Sequence, residues 1–136
     1  MEEGLIKTAP DREKAKSILK MVETTLEMIE TVDSKKFTSH VVKDYYEVLR
    51  ELITVILLLD GYKTQGEGAH KKLIEYLEKN YGDFRGHEIS LIDDLSVVRN
   101  KIAYNGFFVQ DDYLERKRKD ILVLIEKLRV IIYKKL

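Results

Sequence analysis

Among the helix-interior arginines of this chain, Arg99 is set apart by its neighbours. Arg50 has Glu47 three positions before it, Arg116 has Asp112 and Asp120, Arg118 has Glu115 and Arg129 has Glu126. At those distances Arg99 has only Leu95, Ser96, Ile102 and Ala103. It also follows Val98, at the edge of an apolar stripe, so its guanidinium must find a partner beyond its own helix. Three kinds of partner fit: an acid on the second helix (Asp44, Glu47 or Glu51), a group on another subunit, or a ligand. A guanidinium suits the last role because its planar fork matches phosphate in bidentate fashion. Asn100, Lys101 and Tyr104 follow at once, adding a polar group, a cation and a phenol that can donate a hydrogen bond.

The other residues able to do chemistry are sparse. The three histidines, His40, His70 and His87, stand far apart in sequence. Glu67 and His70 have the spacing of a carboxylate-bridged di-metal helix, but no second such pair exists, so no metal site is expected. On a straight helix His87 would lie about 25 Å from Tyr104, too far to serve it within one chain. The run Arg116-Lys117-Arg118-Lys119 is flanked by Asp111, Asp112, Glu115 and Asp120, which reads as a solvated helix face. No glycine-rich phosphate loop, nucleophile elbow or Ser/His/Asp set is present.

Five helical segments must position these groups, and no strand is expected. The first runs from about Pro10 to Val32, with Ala15, Ile18, Leu19, Val22, Leu26 and Ile29 on one face and Thr8 as its cap. The second, Ser39 to Asp60, is the most apolar and stops at Gly61. Its carboxyl half fits the centre of a bundle or a subunit contact. A polar loop from Tyr62 to Gly68 leads to a short helix, Ala69 to about Asn80, bearing Leu73, Ile74 and Leu77. The fourth covers about Glu88 to Tyr104 with Leu91, Leu95, Val98 and Ile102 inward, and Asn105-Gly106 ends it. The last begins near Asp111-Asp112 and buries Leu114, Ile121, Leu124, Leu128 and Ile131. The order long, long, short, long, long predicts an all-α, up-and-down helical bundle.

Bulk properties narrow the function. With 136 residues there is room for one domain, 1–136. Cysteine is absent, which removes disulfides and thiolate metal sites. The 24 basic residues balance the 24 acidic ones, which argues against non-specific nucleic-acid binding but leaves room for a local basic site. No basic and apolar leader opens the chain, and the apolar run Val55 to Leu59 is too short to span a bilayer. A cytoplasmic protein without membrane attachment is expected.

Three stretches resemble the HEPN family of small helical domains, over roughly residues 10 to 134. They are Arg99-Asn100 near the end of a late helix, the apolar second helix ending in Gly61-Tyr62-Lys63, and Gly68-Ala69-His70 opening the short helix. The resemblance implies a helical bundle that dimerises with two motifs facing one cleft. It further implies a metal-independent ribonuclease without cofactor, from a toxin–antitoxin or defence-type system with a nucleotidyltransferase-like protein partner. Carried onto this chain, Arg99, Asn100 and Tyr104 take the catalytic positions, and Arg99 with Lys101 the phosphate. The family has a histidine where this chain has Tyr104. A phenol of pKa about 10 is a poor base near neutrality, so ribonuclease activity is expected to be weak or lost. The binding of RNA or nucleotide phosphate through Arg99 survives that change. A rival reading is a non-enzymatic interaction module that pairs with the nucleotidyltransferase-like partner.

Overall fold

The structure, a computed structural model, describes residues 4–65 and 68–136. Its elements are β1 (Leu5–Lys7), α1 (Arg12–Thr31), α2 (Thr38–Asp60), β2 (Tyr62–Thr64), α3 (Ala69–Asn80), α4 (Gly86–Asn105) and α5 (Asp112–Lys135). The five helices and their order match the sequence reading. The small sheet does not: β1 and β2 pair antiparallel, with Leu5 opposite Thr64 and Lys7 opposite Tyr62. Strands of three residues are too short to show alternation, and their pairing joins segments far apart in sequence.

α2 lies at the centre because it is apolar on nearly every side. Its buried residues include Val42, Tyr45, Leu49, Leu52, Ile53, Ile56 and Leu57, and the helix packs against α1, α3, α4, α5 and β2. Full burial of such a side chain contributes roughly 1.5–3 kcal/mol. The excess apolar surface of this helix is therefore covered within the chain. α4 runs antiparallel to α2, since Ser39 meets Val109 and Glu47 meets Arg99. α5 runs parallel to α2, with Arg118 bonded to Tyr45 and Lys135 to Asp60. With α1 antiparallel to α2 across the Asp33–Lys36 turn, the long helices alternate up and down.

Local chemistry sets the ends. Asp11 Oδ1, not Thr8, caps α1 by accepting from Lys14 N–H at 3.0 Å. Thr8 N–H instead donates to Gly61 O at 2.7 Å, tying the first strand to the end of α2. Gly61 adopts φ +87°, and a Cβ there would sit 2.7 Å from Thr8 O, so only glycine fits. In α4 the inward stripe is Ile89, Leu91, Ile92 and Leu95, whereas Val98 and Ile102 are only half-buried. The helix thus leaves the core as it approaches the Arg99 motif. In α5, Ile125 and Ile132 join the expected stripe and Ile131 is half-buried. Among the described residues, no helix is long and apolar enough to cross a membrane.

Candidate functional site

Arg99, Asn100, Lys101 and Tyr104 all stand on the last two turns of α4, where the helix rises from the core. Arg99 Nη2 lies 3.4 Å from Glu47 Oε1 on α2, one of the three acids that the sequence offered. Glu47 is shared, for Arg50 holds the other oxygen, Oε2, through Nε at 3.0 Å and Nη2 at 2.7 Å. At this carboxylate two guanidinium groups meet one negative charge. Arg99 Nη1 donates to Asn100 Oδ1 at 3.1 Å, and its Nε has no partner among the described residues. The guanidinium carbon sits 5.9 Å from the centroid of the Tyr104 ring, which is 75% exposed.

Lys101 goes elsewhere. Residues two apart on a helix point away from one another, and the Lys101 ammonium lies 5.9 Å from the Phe107 ring centroid instead. Arg99 and Lys101 therefore do not converge on one point. Each stands over an aromatic ring of its own.

The turn beyond α4 is held firmly. Gly106 takes φ +63°, the left-handed conformation that closes a helix, and its N–H donates to Ile102 O at 3.2 Å. Phe107 N–H returns to Lys101 O, also at 3.2 Å. Three residues further on, Val109 is buried, and its N–H donates to the buried Ser39 Oγ at 2.8 Å. Phe107 and Phe108 are displayed between these two anchors, at 46% and 82% exposure.

A second polar cluster went unread in the sequence. Tyr46 OH and His70 Nδ1 are 2.7 Å apart, and His70 Nε2 and Asp93 Oδ1 are 3.0 Å apart. A carboxylate can only accept, so Nε2–H donates to Asp93 and, in the neutral ring, Nδ1 accepts from Tyr46. Burial pushes the Tyr46 phenol up, and a side-chain hydrogen bond with Ser96 partly offsets this. Asp93, Ser96 and Arg99 form a polar row at three-residue spacing along the edge of α4. That spacing was the available signal. Both ring nitrogens of His70 are occupied, so the cluster clamps α3 onto α2 and α4.

The remaining candidates separate. His87 is exposed in the first turn of α4, at the opposite end from Tyr104. Glu67 lies outside the described residues, and among the described residues no cluster of three metal-ligating side chains occurs. In the basic run, Arg116 pairs with Asp112 at 3.5 Å, but Arg118 turns inward to Ser34 Oγ at 2.7 Å and Tyr45 OH at 3.1 Å. That run is therefore not wholly a solvated face. A groove of about 840 Å³ lies beside it, lined by Asp33, Leu114, Leu122 and Glu126, and none of the motif residues lines it. Comparison of the chain with family models, with curated proteins and with solved structures gives no match.

Proposed function

We propose that this chain is a HEPN-like domain that binds RNA or nucleotide phosphate at the end of α4, with ribonuclease activity weak or lost. The observation that carries the reading is the Arg99 guanidinium. It is half-buried, oriented by Glu47, hydrogen-bonded to Asn100, and lies 5.9 Å from the centroid of the exposed Tyr104 ring. An oriented guanidinium at an accessible helix end suits phosphate recognition. Asn100 is its polar helper, Lys101 a second cation and Tyr104 the replaced catalytic residue. The resemblance places such a domain in the cytoplasm, in a toxin–antitoxin or defence-type system with a nucleotidyltransferase-like partner. Pairing of two copies around one cleft belongs to the same reading. The second and fourth helices are the elements expected to form that contact, of which α2 is enclosed within the chain, and light scattering of the purified chain tests the pairing.

The deciding experiment titrates a fluorescent single-stranded RNA with the native protein and with Arg99→Ala. Loss of binding in a variant that keeps its melting temperature supports the reading. Equal binding by both removes it. A rival reading, a non-enzymatic module that pairs with a nucleotidyltransferase-like protein, draws on a different observation. Leu122, Val123, Val130 and Tyr133 are exposed along α5, and an apolar row of this kind suits a protein contact.

A further inference from the structure

The end of α4 carries more aromatic surface than a phosphate site requires. Tyr104, Phe107 and Phe108 fall within five consecutive residues and are all exposed, Phe108 at 82%. Large apolar rings are normally drawn into the core, and a cluster left in water needs a reason. Slack in the turn is not that reason. Gly106 closes the helix on one side and the Val109–Ser39 bond pins the chain on the other.

Charge is arranged around these rings in pairs. Arg99 stands 5.9 Å from the Tyr104 centroid and Lys101 5.9 Å from the Phe107 centroid. Both distances are near the outer limit of about 6 Å for a cation–π contact, so neither ring holds its cation firmly. Phe37 adds a further ring at the start of α2, with the Lys36 ammonium 5.4 Å from its centroid. Ser39, two residues on, is the residue that anchors Val109, so this pair belongs to the same end of the bundle. Repeated pairing of one cation with one exposed ring matches the repeat of a single-stranded nucleic acid, which offers one phosphate and one flat base per unit.

We infer that Tyr104, Phe107 and Phe108 form a stacking platform for the unpaired bases of single-stranded RNA, with Arg99 and Lys101 taking successive phosphates. This rests on the RNA-binding reading above and adds to it the residues that take the bases. A duplex hides its base faces and is excluded. A lone nucleotide fills one cation–ring pair and binds weakly. The zero net charge is consistent with the platform, because stacking supplies affinity that an overall positive field would otherwise provide.

The test measures fluorescence anisotropy of a labelled adenosine oligoribonucleotide, the same strand annealed to its complement, and an abasic strand of equal length. Proteins compared are the native chain, Phe107→Leu, Phe108→Leu and Arg99→Ala, each checked for an unchanged melting temperature. Leucine keeps the apolar bulk and removes the π face. Each leucine substitution is expected to weaken binding of the base-bearing strand about five-fold or more, with little effect on the abasic strand. Arg99→Ala weakens both strands. The platform is overturned if the leucine variants bind the base-bearing strand as the native protein does, or if the duplex binds as tightly as the single strand. It is also overturned if they leave RNA affinity intact but lower the mass in light scattering, which assigns the rings to a contact between copies. Unchanged binding of the abasic strand by Arg99→Ala sinks the phosphate reading, a result distinct from all of these.

Discussion

Arg99 Nη2 and Glu47 Oε1 face each other at 3.4 Å across the α2–α4 interface, with both side chains close to one-third exposed. A carboxylate so placed orients the guanidinium and also competes with any phosphate for it. Arg50 keeps Glu47 fixed by two hydrogen bonds, and Asn100 gives Arg99 a second point of orientation. Competition should therefore outweigh orientation. Glu47→Gln is expected to strengthen RNA binding a few-fold, since a partly exposed ion pair is worth up to about 1 kcal/mol. Weaker binding in the same titration would make Glu47 a positioning residue instead.

The salt dependence of binding should be shallow. Single strands release counterions with a slope of about −0.7 per phosphate neutralised, so Arg99 and Lys101 together give about −1.4 in log K against log salt. Lys101→Ala should halve that slope. A native slope several times steeper would mean that a wider basic surface is engaged, such as the Arg116–Lys119 run.

The helices were legible because apolar residues recur three and four positions apart, and because Gly61 and Gly106 stand where those patterns stop. The β1–β2 pair was not, since its three-residue strands lie on either side of α1 and α2 in the sequence. Arg99 could be singled out by the acids missing from its own helix, and Glu47 was among the three partners foreseen. Choosing between them required the register of α4 on α2. The Tyr46–His70–Asp93 chain joins three helices across 24 and 23 positions, so the polar row Asp93, Ser96 and Arg99 could mark the edge of α4 but not the partners it meets. Phe107 and Phe108 went unread because an apolar pair in a loop looks the same whether it is buried or displayed.

That three-residue chain makes a prediction about stability. His70→Ala removes the imidazole partner of the Tyr46 hydroxyl, which keeps its bond with Ser96, so the cost is that of one hydrogen bond, about 0.5–1.5 kcal/mol. With Tyr46→Phe in the same protein that bond is already absent, so the double variant should lose less than the sum of the two single losses. Denaturant melts of the four proteins measure the coupling. Strict additivity would show that the 2.7 Å contact contributes nothing.

Acid should weaken the fold through Asp60. Burial alone would raise its pKa, but hydrogen bonds from Lys135, Tyr81 and Tyr76 outweigh burial and hold it below the usual carboxylate range. Lys135 Nζ lies 2.7 Å from Asp60 Oδ1, and the two phenols reach Oδ2 at 2.7 and 2.6 Å. Because the folded pKa is the lower one, the contribution is present above the unfolded value of about 3.9 and is lost as pH falls through the folded value. Asp60→Asn should cost about 1–3 kcal/mol near neutrality and flatten the loss of melting temperature below about pH 4. An equally steep acid loss in the variant would move the effect to another carboxylate, with Glu88 the next in line through its 2.8 Å bond from Lys127.

The last prediction concerns Tyr104, which the proposed reading takes as a replaced catalytic residue. Tyr104 sits five positions after Arg99 on an exposed edge, its ring 75% accessible and 5.9 Å from the Arg99 guanidinium. At that exposure a smaller ring costs little packing, so Tyr104→His should fold as the native chain does. Cleavage through a ribose 2′-hydroxyl needs a group that exchanges protons near about pH 7, and imidazole with a pKa of about 6.5 suits this where phenol does not. His70 cannot stand in, for both its nitrogens are engaged. General acid–base help is worth about 10²–10⁴-fold, and the substitution should recover part of that factor on single-stranded RNA without added metal. The gain should require Arg99, vanishing in Arg99→Ala/Tyr104→His, because the guanidinium supplies the charge stabilisation that the imidazole does not. Cleavage by the native protein that persists in Tyr104→Phe would place the chemistry elsewhere. A folded Tyr104→His protein that binds RNA and leaves it intact would mean that this end of α4 holds a strand without cutting it.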